Sequence, residues 1–295
     1  MTTDSWSAWP APAKLNLFLH IVGRRADGYH LLQTLFQLLD WGDSVRLRPR
    51  ADGAIVRVSG LAGIAPEQDL ALRAAQALRA RSGTSLGADI AVDKRIPLGA
   101  GLGGGSSDAA TVLVALNELW ATGLSIDELA ALGLGLGTDV PVFVRGRSAW
   151  AEGVGERLTP IELPARQYVI LDPGVQVPTA ALFQAPELTR NSAPMTMSDF
   201  LTGTGTANAF APVVRACYSQ VTQALDWLSQ FGDARLSGSG GCIFAAMETA
   251  EQAEAVVRAC PPAFVAYRAT GVNRSPLHDA LDDYRAGMPK RITIT

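Results

Sequence analysis

Between two apolar runs the chain reads Pro97-Leu-Gly-Ala-Gly-Leu-Gly-Gly-Gly-Ser-Ser-Asp108, with five glycines in the seven positions 99 to 105. Successive glycines let a backbone approach a ligand with no Cβ in the way, and the free N–H groups at the head of a following helix offer donors to an anion. Residues of these types in this order suit a phosphate, because a bare strand-to-helix turn needs only one or two glycines. Three kinds of phosphate loop compete. A Walker A loop ends in Gly-Lys-Ser/Thr, whereas Gly105 is followed by Ser106 and Ser107. Gly99, Gly101 and Gly104 spell the dinucleotide pattern GxGxxG, but a Rossmann unit needs an acidic residue closing a second parallel strand about 20 positions on. Here Glu118 falls inside a helical pattern. A protein-kinase loop would need HRD and DFG motifs downstream, and the chain has neither.

Such a loop must be fed by a strand and followed by a helix. Residues 89–98, "DIAVDKRIPL", supply the strand, and Val112, Leu113, Leu116, Leu119 and Trp120 recur at helical spacing, which predicts a helix from Ser106 or Ser107. A second helix is predicted over 125–132. In 14–22, "KLNLFLHIV", Leu15, Leu17, Leu19 and Ile21 alternate with Lys14, Asn16, Phe18 and His20, the pattern of a half-buried strand. Asp27-Gly28 then turns the chain into a hairpin partner over 31–41, with further strands at 44–49 and 54–60 and a helix over 69–81. Residues 141–153 read as a strand pair, 161–174 as entry into a new strand, 210–231 as largely helical, 242–247 as a strand and 251–259 as a helix. Prolines at 160 and 164 place a domain boundary there, giving expected domains of 1–162 and 163–295.

A chain of 295 residues, 48% hydrophobic and 18% charged, is about twice a typical domain and can bury a large core. The formal net charge of -3 gives no basic footprint for nucleic acid or an anionic membrane surface, so an anionic ligand must meet a local positive site. Cys217, Cys242 and Cys260 lack metal-ligand spacing and suit a reducing compartment. The first 13 residues contain no Lys or Arg, and no run of about 20 apolar residues occurs, so a cytoplasmic protein is expected.

The stretch "PLGAGLGGGSSDAA" resembles the second motif of the GHMP kinases, the small-molecule kinases of galactose, homoserine, mevalonate and phosphomevalonate. "PAKLNLFLHIVGRRADGYH" (12–30) is similar to the first motif, "LGTDVPVFVRGRSAWAEGVGE" (136–156) to the acidic segment, and "RLSGSGGCIFA" (235–245) to the third motif, with similarity reaching "NRSPLH" at 273–278. The resemblance implies an α+β fold of two domains: an N-terminal ATP-binding domain with a left-handed βαβ feature, and a C-terminal ferredoxin-like domain. The active site would lie in the cleft between them.

The resemblance also implies ATP as phosphoryl donor, its phosphates wrapped by Pro97, Leu98, Gly99, Ala100, Gly101, Leu102, Gly103, Gly104, Gly105, Ser106 and Ser107. Mg2+ is implied too, with Ser107 either a metal ligand or simply a helix cap. Alone, Asp139 in "GTDVP" reads as an Asx-turn residue and Lys14 as a solvated strand-end charge. By family resemblance both are catalytic: Asp139 orients the substrate hydroxyl and accepts its proton, while Lys14 polarises that hydroxyl and keeps Asp139 ionised. A loose phosphoryl-transfer transition state needs positioning and charge stabilisation more than a strong base.

The GLGGGSS form is similar to the branch of the family whose small-molecule substrate carries a cytidine diphosphate group. This implies a base pocket in which Tyr29 stacks, His30 hydrogen-bonds and Phe183 closes the other face, with Asn16 near the polyol hydroxyls. The expected reaction moves the γ-phosphate of ATP to the 2-hydroxyl of the methylerythritol part, a step toward isoprenoid precursors. The alternatives are a homoserine- or mevalonate-type kinase, and, in other classes, a catalytically silent nucleotide-binding module or an NAD-dependent enzyme. A monomer or homodimer acting on neither nucleic acid nor membrane is expected. Asn208-Ala209 stands where the family commonly has Asn-Asp, "GTDVP" replaces the commoner Gly-Ala-Asp-Val-Pro, and the tail 281–295 carries no assigned function.

Overall fold

The computed structural model describes residues 5–58, 64–203 and 206–287. Its first half runs β1 (Ser7–Arg24), β2 (His30–Arg50), β3 (Ile55–Arg57), α1 (Leu70–Ser82), β4 (Gly87–Asp93), α2 (Gly104–Leu119), α3 (Ile126–Leu134), α4 (Val140–Arg145), β5 (Ala149–Glu152) and β6 (Arg157–Pro160). The second runs β7 (Gln167–Asp172), α5 (Thr179–Gln184), α6 (Met197–Leu201), α7 (Ala211–Cys217), α8 (Ser219–Leu228), β8 (Arg235–Leu236), β9 (Ile243–Met247), α9 (Ala250–Arg258), β10 (Val265–Val272) and α10 (Pro276–Arg285).

One sheet joins the halves in the order β3-β4-β2-β10-β7-β9-β8, with β1 on β2 and β5 bridging β2 to β6. β3 and β4 are parallel across α1, and β10 pairs with β7 through Thr270 before meeting β2 at Gly271 and Val272. Local chemistry sets the helix ends. Asp69 accepts the N–H groups of Ala71 and Leu72 to start α1, Gly83 ends it at φ 73°, and Ser125 with Glu128 forms a capping box for α3. In α2, ten residues from Ser107 to Leu116 are buried, which makes it the central helix behind the sheet.

Several expectations are corrected. β1 begins at Ser7 and has no solvent face along its centre: register shifts between Pro12 and Lys14 and between Asn16 and Leu19 break the alternation, and Lys14, Asn16 and Phe18 are all buried. The two strands expected at 31–41 and 44–49 are one strand, β2. Gly42 allows this, since a Cβ there would lie 2.2 Å from the Ala11 carbonyl oxygen. Within 141–153, Val140–Arg145 is a helix opened by Pro141 in its first turn and ended by Gly146 at φ 63°; only Ala149–Glu152 is a strand. α2 opens at Gly104, because Gly103 takes a left-handed φ of 76° at its cap. The helix expected over 210–231 breaks at Tyr218, where the backbone is extended. The strand expected at 54–60 spans Ile55–Arg57, with 59 and 60 outside the described residues. In the tail, 281–285 complete α10, whose Leu277 and Leu281 enter the core beside Trp9; 288–295 lie outside the described residues.

Candidate active site

A cleft of about 850 Å³ is lined by β1, the 27–30 turn, the glycine loop and Gly137–Asp139 from one half, and by Thr179, Phe183, Gly238 and Ser239 from the other. β1 is tied to the glycine loop by its backbone, the Lys14 N–H donating to the Leu102 carbonyl at 3.1 Å. Lys14 is 2% exposed, and a buried ammonium is stable only when its donors are spent on acceptors. Its Nζ donates to the Gly101 carbonyl at 3.0 Å and to Asn16 Oδ1, and stands 3.3 Å from Asp139 Oδ2. Asp139 occupies the cap position of α4 but makes no side-chain cap bond, which leaves its carboxylate to Lys14 and the cleft.

Asn16 lines the cleft while doing structural work: its amide donates to Thr34 Oγ1 at 2.9 Å, and its backbone N–H donates to Ser237 Oγ at 3.3 Å. Ser237 Oγ in turn donates to the Gly101 carbonyl at 3.0 Å, so the third motif clamps strand and loop together. Sequence reading missed Thr34 and the role of Ser237; the signal for Ser237 was its place in the quoted motif.

The glycines of the loop divide by what surrounds them. A Cβ on Gly101 would lie 2.1 Å from the Ser237 carbonyl oxygen, one on Gly103 2.8 Å from the Phe143 ring, and one on Gly104 2.9 Å from Lys94 Nζ. These three are glycine because protein packs against them. Gly105 meets only Leu70, at 3.5 Å, and its φ is not positive, so its freedom from a side chain leaves room on the cleft. Beneath the loop, Lys94 Nζ donates to Asp43 and, at 3.0 Å, to Asp108 Oδ2, while the second oxygen of Asp43 accepts the N–H groups of Arg95 and Ile96. Burial, opposed by Lys94 and reinforced by the charge of Asp43, pushes the Asp108 carboxyl up to about 7. Nothing in the sequence links positions 43, 94 and 108; the fold alone brings them together.

At the other end of the cleft the Phe183 ring stacks on His30 with centroids 4.6 Å apart and planes at 15°, and meets Phe210 edge-on at 5.0 Å. Burial, aided by the Arg24 and Arg190 guanidiniums, lowers the His30 pKa, and His30 Nε2 is buried without a hydrogen-bond partner among the described residues. Arg190 donates to the carbonyls of Phe183, Ala185 and Leu188 and so fixes the segment that presents Phe183. Tyr29, expected as one face of a base sandwich, lines the cleft at its rim with 61% exposure; the ring stacked on Phe183 is His30.

Pro97 through Ser106 all line the cleft, but Ser107 does not: it is fully buried, and its Oγ has no partner among the described residues. No group of three or more His, Cys, Asp or Glu among the described residues is placed to hold a metal. A Mg2+ bound through nucleotide phosphates needs only one or two protein donors; Ser107 Oγ is unpartnered at the head of α2 but lies behind the cleft wall, not on it. Asn208 donates to the Leu236 and Gly238 carbonyls and accepts the Phe210 N–H, so its amide is spent on holding the third-motif turn.

Models of the GHMP kinases N terminal domain and of the GHMP kinases C terminal region match residues 69–147 and 182–266. A 4-diphosphocytidyl-2-C-methyl-D-erythritol kinase of Xanthomonas campestris pv. campestris (strain B100) is 58% identical over 282 residues, covering 95% of this chain and 96% of its own length. The chain belongs to the 4-diphosphocytidyl-2-C-methyl-D-erythritol kinase family of GHMP kinases. The kinase of that name from Halorhodospira halophila (strain DSM 244 / SL1) is 56% identical over 276 residues, covering 92% of this chain and 96% of its own. A crystal structure of 4-(cytidine 5'-diphospho)-2C-methyl-D-erythritol kinase matches with a TM-score of 0.76 at 34% identity, over 91% of this chain and 100% of that one. A mevalonate kinase structure matches with a TM-score of 0.67 at 15% identity, covering 92% of this chain and 100% of that one, a likeness of fold. The molecule is thus a small-molecule kinase of GHMP fold, its N-terminal ATP-binding domain followed by a ferredoxin-like C-terminal domain, and ATP is the phosphoryl donor that this family implies.

Proposed function

We propose that this kinase transfers the γ-phosphate of ATP to the 2-hydroxyl of 4-diphosphocytidyl-2-C-methyl-D-erythritol, in the non-mevalonate route to isoprenoid precursors. The observation that carries the reading is the placement, in one cleft, of the Lys14–Asp139 pair between a glycine loop and the stacked His30 and Phe183. ATP phosphates lie over the head of α2, where the first-turn N–H groups and Gly105 receive them. The cytosine lies at His30 and Phe183, and the acceptor hydroxyl at Asp139. Asp139 takes the hydroxyl proton as the oxygen attacks phosphorus and ADP departs, while Lys14 offsets the negative charge and holds the carboxylate in place. Mg2+, when bound, would neutralise phosphate charge.

We further read 1–162 as the N-terminal ATP-binding domain and 163–295 as the C-terminal domain, with α10 returning to the core of the first. A cytoplasmic setting accompanies the reading, supported by three free cysteines. Among the described residues no helix is long and apolar enough to cross a membrane. The decisive experiment is ADP release with the cytidyl substrate measured against homoserine and mevalonate. Turnover confined to the cytidyl substrate supports the reading, and turnover of homoserine or mevalonate alone sinks it.

A further inference from the structure

On this reading the cleft receives two phosphate-bearing ligands, yet two of the cations lining it are already committed. Lys14 is paired with Asp139, and Lys94 is held between Asp43 and Asp108. Arg24, at the end of β1, also lines the cleft, and it makes no ion pair among the described residues. Its Nε donates to the Gly28 carbonyl at 3.1 Å, which fixes the guanidinium across the mouth of the turn. The turn's own acid, Asp27, is taken by the neighbouring Arg25 at 2.7 Å. Arg24 is the direct cross-strand partner of His30 in the β1–β2 register, so the two side chains leave the same face of the ladder. Arg190, the other cation felt at His30, is occupied by three backbone carbonyls.

We propose that Arg24 binds the diphosphate of the substrate's cytidine diphosphate group. The inference rests on the substrate reading above. With the base at His30 and the acceptor hydroxyl at Asp139, ribose and diphosphate must bridge the two. Arg24 is level with His30 at the hairpin end of the ladder and lines the same cleft, so its guanidinium would meet the diphosphate from the base end of that bridge, and its planar fork matches phosphate oxygens bidentately. ATP phosphates, by contrast, belong at the head of α2, beside Lys14 and Lys94.

The test is calorimetric titration with cytidine and with CDP, run on the full chain with the ATP subsite filled by a non-hydrolysable ATP analogue. Wild type should bind CDP more tightly than cytidine, by a margin that shrinks as salt rises. Arg24→Gln should weaken CDP about tenfold while leaving cytidine and the ATP analogue within about twofold, the scale of one lost charge-assisted phosphate contact. Arg24→Lys should recover part of the loss, since charge survives without the fork. An unchanged CDP-to-cytidine ratio in Arg24→Gln overturns the assignment, as does a loss that falls on the ATP analogue instead. A wild type that binds neither cytidine nor CDP overturns the substrate reading itself, and this inference with it.

Discussion

Lys14 Nζ stands 3.3 Å from Asp139 Oδ2 while donating at 3.0 Å to the carbonyl of Gly101, so a single buried ammonium joins the carboxylate at the cleft to the loop assigned to phosphate. A change at either residue should therefore reach the chemistry before it reaches the fold. Asp139→Asn should retain substrate affinity and lose about 10²- to 10⁴-fold in kcat, the range for a removed general base. Lys14→Met should also lower kcat, but with a measurable fall in thermal midpoint, because Asn16 Oδ1 and the Gly101 carbonyl lose their donor. Steady-state kinetics beside thermal melts check both, and wild-type kcat in Asp139→Asn would remove that carboxylate from the mechanism.

The glycine loop can be dissected one position at a time. Gly105→Ala meets only Leu70 and needs no left-handed backbone, so it should fold as wild type and weaken ATP if phosphate approaches there. Gly103→Ala should instead cost stability and turnover together, since its Cβ would strike Phe143 and crowd Lys14 at a φ of 76°. Equal ATP affinity in Gly105→Ala and wild type would show that the phosphates do not lie against this position.

Base recognition should split between the two stacked rings. A π face stacks on any base, so Phe183→Ala should weaken the cytidyl substrate by about 1–3 kcal/mol and leave the preference over a uridyl analogue unchanged. His30, with Nε2 unpartnered and its pKa lowered by burial and two arginines, is neutral near pH 7 and free to bond the base edge. His30→Ala should reduce the cytidyl-to-uridyl ratio in kcat/KM, because cytosine and uracil differ in the donors and acceptors of that edge. Measuring both substrates with both variants separates the roles; a constant ratio in His30→Ala removes His30 from base reading.

The buried acid beneath the loop predicts a pH dependence of stability. Asp108 titrates at about 7 in the folded chain against an ordinary 3.8, so between these values the unfolded chain gives up its proton first. Its contribution to stability is therefore present at acid pH, is lost as pH rises from about 4 to about 7, and is constant above. Lys94 and Asp43 are the charged groups that hydrogen-bond the cluster together. Asp108→Asn should flatten that part of the profile. Thermal midpoints from about pH 4.5 to 8 test it, and parallel profiles for variant and wild type would mean that Asp108 is ionised throughout.

What sequence determined by itself was chemistry that is local along the chain. Five glycines before a helical pattern specify a backbone that something approaches closely, and the spacing of motifs around Lys14, Gly99 to Gly105, Asp139 and Ser237 carries the family. Element types followed wherever periodicity was clean, as in α1, α3, β9 and α9. They failed where tertiary context overrode pattern: burial of both faces of β1 hid its role as the floor of the cleft, and the apolar run 140–144 read as strand until Pro141 and Gly146 bounded it as a helix. Only the folded chain decided which glycines face protein and which opens on the cleft, because that depends on Ser237, Phe143 and Lys94 arriving from distant segments. The same holds for Asp43, Lys94 and Asp108, and for the stacking of Phe183 on His30 across the two halves. Covalent neighbours set local conformation, whereas burial, pairing of charges and the shape of a cleft arise from residues far apart in sequence whose meeting only long-range packing can arrange.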